Sequence, residues 1–232
     1  MSAPRIVLVT GAFGTLGTAV ARKFLAQGAR LVLMDRAPVP GWAAQAFPAP
    51  HALAGGVDLT DPAATGAAVQ TALGRDGALD VLVNVAGGFR WQTLEEGDLA
   101  TWELMFAMNL RTAVVASRAV LAHLLARGSG RIINIGAGAA ARGRAGMGPY
   151  TASKAGVERL SESLADELKD RNITVNTILP GTIDTPANRA DMPDADTARW
   201  VQPDEVADVV VFLASDAARG VTGAAIRVFG RG

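Results

Sequence analysis

Ile6-Val7-Leu8-Val9-Thr10-Gly11-Ala12-Phe13-Gly14-Thr15-Leu16-Gly17 decides how the rest of the chain is read. A short apolar run of strand length ends at a glycine-spaced turn, and helical spacing through Val20, Phe24 and Leu25 follows it. Gly11, Gly14 and Gly17, with Phe13, Thr15 and Leu16 between them, allow a tight turn and a close backbone approach to a pyrophosphate. The free N–H groups at a helix N-terminus stabilise such a charge. A glycine triplet alone is a weak signal. Here the next strand run ends in Asp35, where a carboxylate can accept hydrogen bonds from an adenosine ribose, so the segment reads as a dinucleotide cradle. Asp35 would repel a 2′-phosphate and favours NAD(H), whereas the adjacent Arg36 could pair with that phosphate and keeps NADP(H) open.

Outward from the cradle, strand-length apolar runs recur at Arg5–Val9, Arg30–Met34, Ala52–Val57, Leu79–Asn84, Arg131–Ile135, Ile173–Leu179 and Ala225–Phe229. Helical periodicity lies between most of them, as in Val157, Leu160, Leu164 and Leu168. Nearly continuous apolar strands alternating with helices imply a parallel sheet covered on both faces. The expectation is α/β: a single doubly wound, Rossmann-type domain over residues 1–232, a seven-stranded parallel sheet with helices on both faces. Two stretches break the pattern. Residues 37–50 carry four prolines where a crossover helix would be expected, so that connection should be short or irregular. Residues 180–203 are polar and little periodic until Pro203-Asp204-Glu205 opens a helix, and a loop of that length is usually a lid or substrate segment.

Composition narrows the chemistry. The 232 residues balance 22 Lys plus Arg against 22 Asp plus Glu, which argues against a nucleic-acid partner. There is no cysteine, and His51 and His123 are the only histidines, so a thiol nucleophile, a zinc-thiolate site and an HExxH pair are excluded and no metal is expected. The N-terminal run reads as a buried strand rather than a signal peptide, and apolar runs such as Val209 to Ala214 fall short of the ~18 residues that cross a bilayer. These features point to a cytoplasmic enzyme without a membrane partner.

Tyr150 and Lys154 stand four residues apart at the start of a helix, so their side chains share one face. An ammonium beside a phenol should lower the phenol pKa from ~10 toward neutrality and make the hydroxyl a usable proton donor or acceptor. With the glycine turn, Asp58 and Leu59, Asn84-Val85-Ala86-Gly87, Asn109, and Pro180-Gly181-Thr182-Ile183-Asp184-Thr185-Pro186, the chain resembles the short-chain dehydrogenase/reductase family over essentially its whole length. That resemblance implies an NAD(P)-dependent oxidoreductase. Tyr150 would transfer the proton, Lys154 would tune it and hold the nicotinamide ribose, and Asn109 would support a water-linked relay. It places Asp58 near adenine, and Thr185 with the Ile183 backbone beside the nicotinamide. It also implies a homodimer or homotetramer, formed through long helices near residues 98–127 and 149–171. Ala113, Ala116 and Ala119 could permit that close packing or serve the chain's own interior.

One position departs from the family pattern. Members usually carry a serine thirteen residues before the tyrosine to hold the substrate carbonyl; here that position is Ala137, and no hydroxyl lies between Ile132 and Tyr150. Losing such a donor typically costs ~10²-fold or more in an oxyanion-type reaction. The dihydropteridine reductase branch shares the departure, and Gly136-Ala137-Gly138-Ala139-Ala140 and Asp184-Thr185-Pro186-Ala187-Asn188-Arg189 resemble it as well. A quinonoid dihydropteridine, or a similar planar acceptor, gains aromatic stabilisation on taking hydride and need not depend on the serine. Phe89, Trp91 and Trp200 could stack on such a ring, or could pack loops and neighbouring subunits. Two alternatives stay open: a general ketone/alcohol or sugar dehydrogenase with a substitute donor, and a non-catalytic NAD-binding regulator.

Overall fold

The structure, a computed structural model, describes residues 4–74 and 77–231. Each expected apolar run yields a strand: β1 (Ile6–Thr10), β2 (Arg30–Met34), β3 (Ala52–Ala54), β4 (Val81–Asn84), β5 (Gly130–Ile135), β6 (Ile173–Pro180) and β7 (Ala225–Val228). All pair in parallel, in the order β3-β2-β1-β4-β5-β6-β7. The helices are α1 (Thr15–Ala26), α2 (Ala43–Ala46), α3 (Pro62–Leu73), α4 (Leu99–Met105), α5 (Thr112–Arg127), α6 (Gly148–Leu168), α7 (Pro186–Asp191) and α8 (Pro203–Ala214). The result is one doubly wound, Rossmann-type α/β domain.

Both sheet faces are covered, which is why the strands read as unbroken apolar runs. Val7, Val9, Leu31, Leu33, Val81 and Val83 pack on one face against Val20 and Phe24 of α1 and Val206 and Val210 of α8. Alternate residues, Leu8, Val32, Leu82 and Ile132, meet Val69 of α3, Val120 and Leu124 of α5, and Leu168 of α6 on the other. Ala113 and Ala116 are buried, and Ala119 packs against this second cluster, so the alanine stripe serves the chain's own interior. The same packing accounts for the hydropathy of Leu99–Arg127, the one described helical stretch long and apolar enough by composition to cross a bilayer; 44% of its most apolar window is buried inside the domain.

Departures from the sequence expectations have local causes. β3 stops at Ala54; at Gly55 the backbone passes so near residues 37–39 that a Cβ would lie 2.3 Å from the Val39 amide nitrogen, and Gly56 then turns the chain with φ +75°. The proline-rich connection keeps only the single turn α2. Residues 180–203 are more regular than expected: Thr185 caps α7 by accepting the Asn188 amide at 3.1 Å, and Ile183 bridges in parallel to Val201. At α8, Gln202 and Glu205 form a reciprocal capping box ahead of Pro203 at the first helical position.

Polar side chains also cross the α5/α6 face. Asn84 of β4 donates to Asn134 of β5 at 2.8 Å and to Ser117 of α5 at 3.2 Å. Asn134 donates to Ser161 of α6 at 2.8 Å, and Thr177 of β6 donates to the same hydroxyl at 2.6 Å. Asn84 is opposite Asn134 in register, and Asn134 is opposite Thr177.

Candidate active site

The strand order reverses between β1 and β4, and at their C-terminal ends a crevice of about 600 Å³ opens. Its lining includes Gly11, Phe13, Gly14, Leu16, Gly17, Asp35, Arg36, Asp58, Leu59, Ala86 and Gly87, all expected from the sequence. It also includes Val85 of the Asn84–Gly87 motif, and Thr60, Leu104, Ala107, Met108 and Thr112, which the sequence reading did not single out. Leu104, Ala107, Met108 and Thr112 share one helical face, so helical periodicity anchored on Asn109 was the signal that could have found them.

The glycines do different work. A Cβ at Gly17 would stand 2.1 Å from the Gly11 carbonyl oxygen, and Gly11, at φ +61°, would put a Cβ 2.8 Å from the Ala86 backbone. Gly14 meets nothing closer than 3.5 Å, yet it precedes α1, whose N-terminus has no side-chain cap. Two glycines thus fold the loop tightly, and the third leaves backbone open toward an anion at a helix N-terminus. Asp35 fixes the loop from the neighbouring strand by accepting the Phe13 and Ala37 amides, both at 2.9 Å. Asp58 accepts the Thr60 hydroxyl at 2.7 Å and its amide at 2.9 Å, which hold its carboxyl below the usual carboxylate range. A narrow backbone cradle beside an exposed carboxylate fits a dinucleotide. Thr15 lies on the outer side of the loop, in a separate groove with Thr18 and Arg22.

Asn84 is placed differently from the expectation. Its side chain does not line the crevice but is buried in the polar ladder beneath it, where its Oδ1 has no partner among the described residues. Thr10 Oγ1 accepts the Val85 and Ala86 amides at 3.2 and 3.3 Å, and it is the following residues, Val85 to Gly87, that line the crevice.

Tyr150 and Lys154 rise from the first turns of α6. Lys154 is buried and donates to the Ile135 carbonyl at 2.7 Å, and its Nζ lies 3.2 Å from where a Gly87 side chain would begin. Burial pushes the lysine pKa down to about 8 and the tyrosine pKa up to about 12. This reverses the expected effect. The buried protein environment disfavours the phenolate, so Tyr150 stands protonated, as a donor of a proton must.

Asn109 owes its position to a π-helical segment, Phe106–Arg111, between α4 and α5, in which the Thr112 amide reaches back to the Ala107 carbonyl. Such segments are frequent at functional sites. The Asn109 Oδ1 accepts the Gly88 amide at 2.8 Å, and its Nδ2 donates to the Gly88 carbonyl at 3.1 Å and to Ser153 at 2.9 Å. Its side chain is committed to the protein on every side.

Around Tyr150, Phe89 presents its edge at 5.0 Å between ring centroids. Trp91 lies on Gly146, where any Cβ would be 2.0 Å from the indole, and the Gln92 amide donates to the Gly146 carbonyl at 2.8 Å. Ala137 is buried at the end of β5, between Gly136 and a Gly138 that accommodates the Phe229 ring. Trp200 stands apart, with no aromatic partner among the described residues; a Cβ at Gly230 would lie 3.4 Å from its carbonyl oxygen. Pro180 ends β6, and the Gly181 amide donates to the Val228 carbonyl at 2.9 Å. The Ile183 carbonyl accepts from Asn188 at 2.8 Å. Among the described residues, no group of three or more His, Asp or Glu could hold a metal ion.

Known proteins resemble this chain in sequence and fold. The family model for short chain dehydrogenase matches residues 5–196. The chain is 37% identical to a cis-4-hydroxycyclohexanecarboxylate dehydrogenase of Sinomonas cyclohexanicum, covering 98% of this chain and 96% of that protein. It is 34% identical to an acetoacetyl-CoA reductase of Allochromatium vinosum, over 97% of each chain. An oxidoreductase structure from Burkholderia thailandensis superposes with a TM-score of 0.84 at 35% identity, over 99% of this chain and 92% of that one. Crevice, tyrosine–lysine pair and relatives agree: this chain belongs to the short chain dehydrogenase family of NAD(P)-binding oxidoreductases.

Proposed function

We propose that the protein is an NAD(P)H-dependent reductase that delivers hydride to a planar conjugated acceptor, of which a quinonoid dihydropteridine is the type, with Tyr150 as proton donor. The observation that carries this reading is Ala137, a buried methyl group where a carbonyl-holding hydroxyl would be expected. The bound nicotinamide would supply the hydride. Gly11, Gly14, Gly17 and the α1 N-terminus would hold its pyrophosphate, Asp35 the adenosine ribose and Lys154 the nicotinamide ribose. Tyr150, protonated at neutral pH, would complete the reduction, and the Phe89 and Trp91 rings would wall a flat substrate. Asp35 supports NAD(H) over NADP(H). Residues 180–203, with Thr185 and Ile183, would border the nicotinamide and the substrate.

A second reading has its own support: the relatives named above are a cis-4-hydroxycyclohexanecarboxylate dehydrogenase and an acetoacetyl-CoA reductase. It makes this chain a ketone/alcohol oxidoreductase with a substitute donor. A panel of quinonoid dihydropterin, ketones and secondary alcohols, run with NADH and NADPH side by side, separates the two. Preference for the dihydropterin supports the first and preference for ketones the second. Tight NADH binding without turnover of any substrate would instead identify a non-catalytic binder. We also propose a homodimer or homotetramer joined through the outward faces of α4 to α6. The exposed Phe106, Val114 and Leu125 support it, and sedimentation tests it.

A further inference from the structure

Ser153 lies between Tyr150 and Lys154 in α6 and is 4% exposed. Like other hydroxyls of this helix it donates to a preceding carbonyl, here that of Tyr150 at 2.7 Å. Thr151 and Ser161 do the same toward Met147 and Val157. Ser153 differs from Thr151 in what reaches it from another element. Its oxygen accepts Nδ2 of Asn109 at 2.9 Å, from the π-helical segment, and Asn109 is 1% exposed.

The hydrogen-bond inventory of Asn109 makes this contact directional. The Gly88 amide can only donate, so the atom facing it at 2.8 Å is Oδ1 and the opposite atom is the NH₂. The two Nδ2 hydrogens have two good acceptors, the Gly88 carbonyl and Ser153 Oγ; the Met105 sulfur at 3.8 Å is a poor third. One continuous chain therefore runs from the Gly88 backbone through Asn109 and Ser153 to the Tyr150 carbonyl. It joins the turn that lines the cofactor crevice to the helical turn that carries the phenol. Gly87, beside it, has no room for a side chain because Asn109 Oδ1 and Lys154 Nζ stand 2.7 and 3.2 Å from where a Cβ would be.

We propose that Ser153 is a positioning residue for Tyr150: it fixes the catalytic turn of α6 to Asn109 and Gly88, and so sets where the phenol stands over the crevice. Removing its hydroxyl would leave an Asn109 hydrogen unpaired in the interior and release the turn. Misplacement by a fraction of an ångström acts on the rate of the proton step more than on cofactor binding.

This inference rests on Tyr150 being the proton donor, so the experiment includes Tyr150→Phe. Wild type, Ser153→Ala, Ser153→Thr and Ser153→Cys are compared for kcat and KM, using quinonoid dihydropterin or, if it is not turned over, the best ketone of the panel. NADH affinity by fluorescence titration and melting temperature are measured on the same proteins. Ser153→Ala should lower kcat about tenfold or more while NADH affinity stays within about twofold. Ser153→Thr should restore most of the rate, and Ser153→Cys, close in size but a weak hydrogen-bonding group, should fall between. A kcat within twofold of wild type in both the Ala and Cys variants overturns the proposal. A loss that follows the melting temperature and is not rescued by Thr overturns it too, since the role would then be structural. If Tyr150→Phe turns over like wild type, the reading of Tyr150 itself fails, and that result is distinct from either of the others.

Discussion

The crevice and the tyrosine–lysine cluster that adjoins it at Gly87 are built from different materials. On the β1–β2 side the site is backbone: Gly11 and Gly17, where a Cβ would stand only 2.1 to 2.8 Å from neighbouring main-chain atoms, and a carboxylate, Asp35, whose two oxygens each hold a main-chain amide. On the β5–α6 side it is side chains: Tyr150, Lys154, Asn109 and the Phe89 and Trp91 rings, brought together from separate elements. A backbone site tolerates almost no substitution at its glycines and imposes no particular substrate. A side-chain site can change its chemistry one residue at a time, and Ala137 is where this chain differs from its family's usual pattern.

The comparison breaks most sharply at Tyr150. Replacement by Phe should reduce turnover by about 10²-fold or more while leaving NADH affinity nearly unchanged, because only the β5–α6 side is altered. NADH oxidation and a binding titration read the two effects separately; a matching loss of affinity would mean that the two sides are not independent. Gly17→Ala acts on the other side. Its Cβ would collide with the Gly11 carbonyl, so NADH affinity should fall at least about tenfold, with kcat at saturating cofactor changed less. Retained affinity would show that the loop can yield.

Ala137→Ser is the sharper probe of substrate. Under the proposed function it changes dihydropterin reduction by less than about tenfold and brings no comparable gain on ketones. A ketone gain approaching ~10²-fold would favour the alcohol/ketone reading. The pH profile of kcat/KM reports the ionisations of the free enzyme. Lys154, depressed to about 8, should lose its charge above that pH while Tyr150, raised to about 12, keeps its proton. Reduction should therefore decline from about pH 8 upward; a profile flat to pH 10 would contradict this.

The smallest expected effect belongs to the backbone side. His51 Nδ1 accepts the Leu31 amide at 3.1 Å, and burial, with Arg30 nearby, lowers its pKa. The unfolded chain then binds the extra proton first as pH falls. Stability contributed by neutral His51 is complete above the unfolded value of ~6.5 and is lost as pH drops through the lower folded value. Melting temperature should fall below pH 6.5 by more in wild type than in His51→Gln.

The two materials also differ in how legible they are in a sequence. Glycine spacing, Asp35 and the seven strand runs were readable because backbone sterics and burial on both sheet faces act locally. The π-helical segment was not: it changes the backbone hydrogen bonding of Phe106–Arg111, and no residue type marks that. Four-residue spacing reports proximity to Lys154 but not how deeply both groups are buried, and burial is what raises the Tyr150 pKa. Asn84 and Trp200 show the same limit, since side-chain direction depends on partners that lie far away in the chain. α7 was too short for periodicity to show.

The ladder from Asn84 through Asn134 to Thr177 has a consequence for assembly of the sheet. Apolar neighbours on parallel strands can exchange partners with little penalty, but these polar groups meet only when β4, β5 and β6 stand level. A slip of one residue would turn each polar side chain to the opposite face and strand it among valines and isoleucines. The ladder thus acts as an alignment key, set at the row where β4 ends and one residue before β5 gives way to the Ala137 turn.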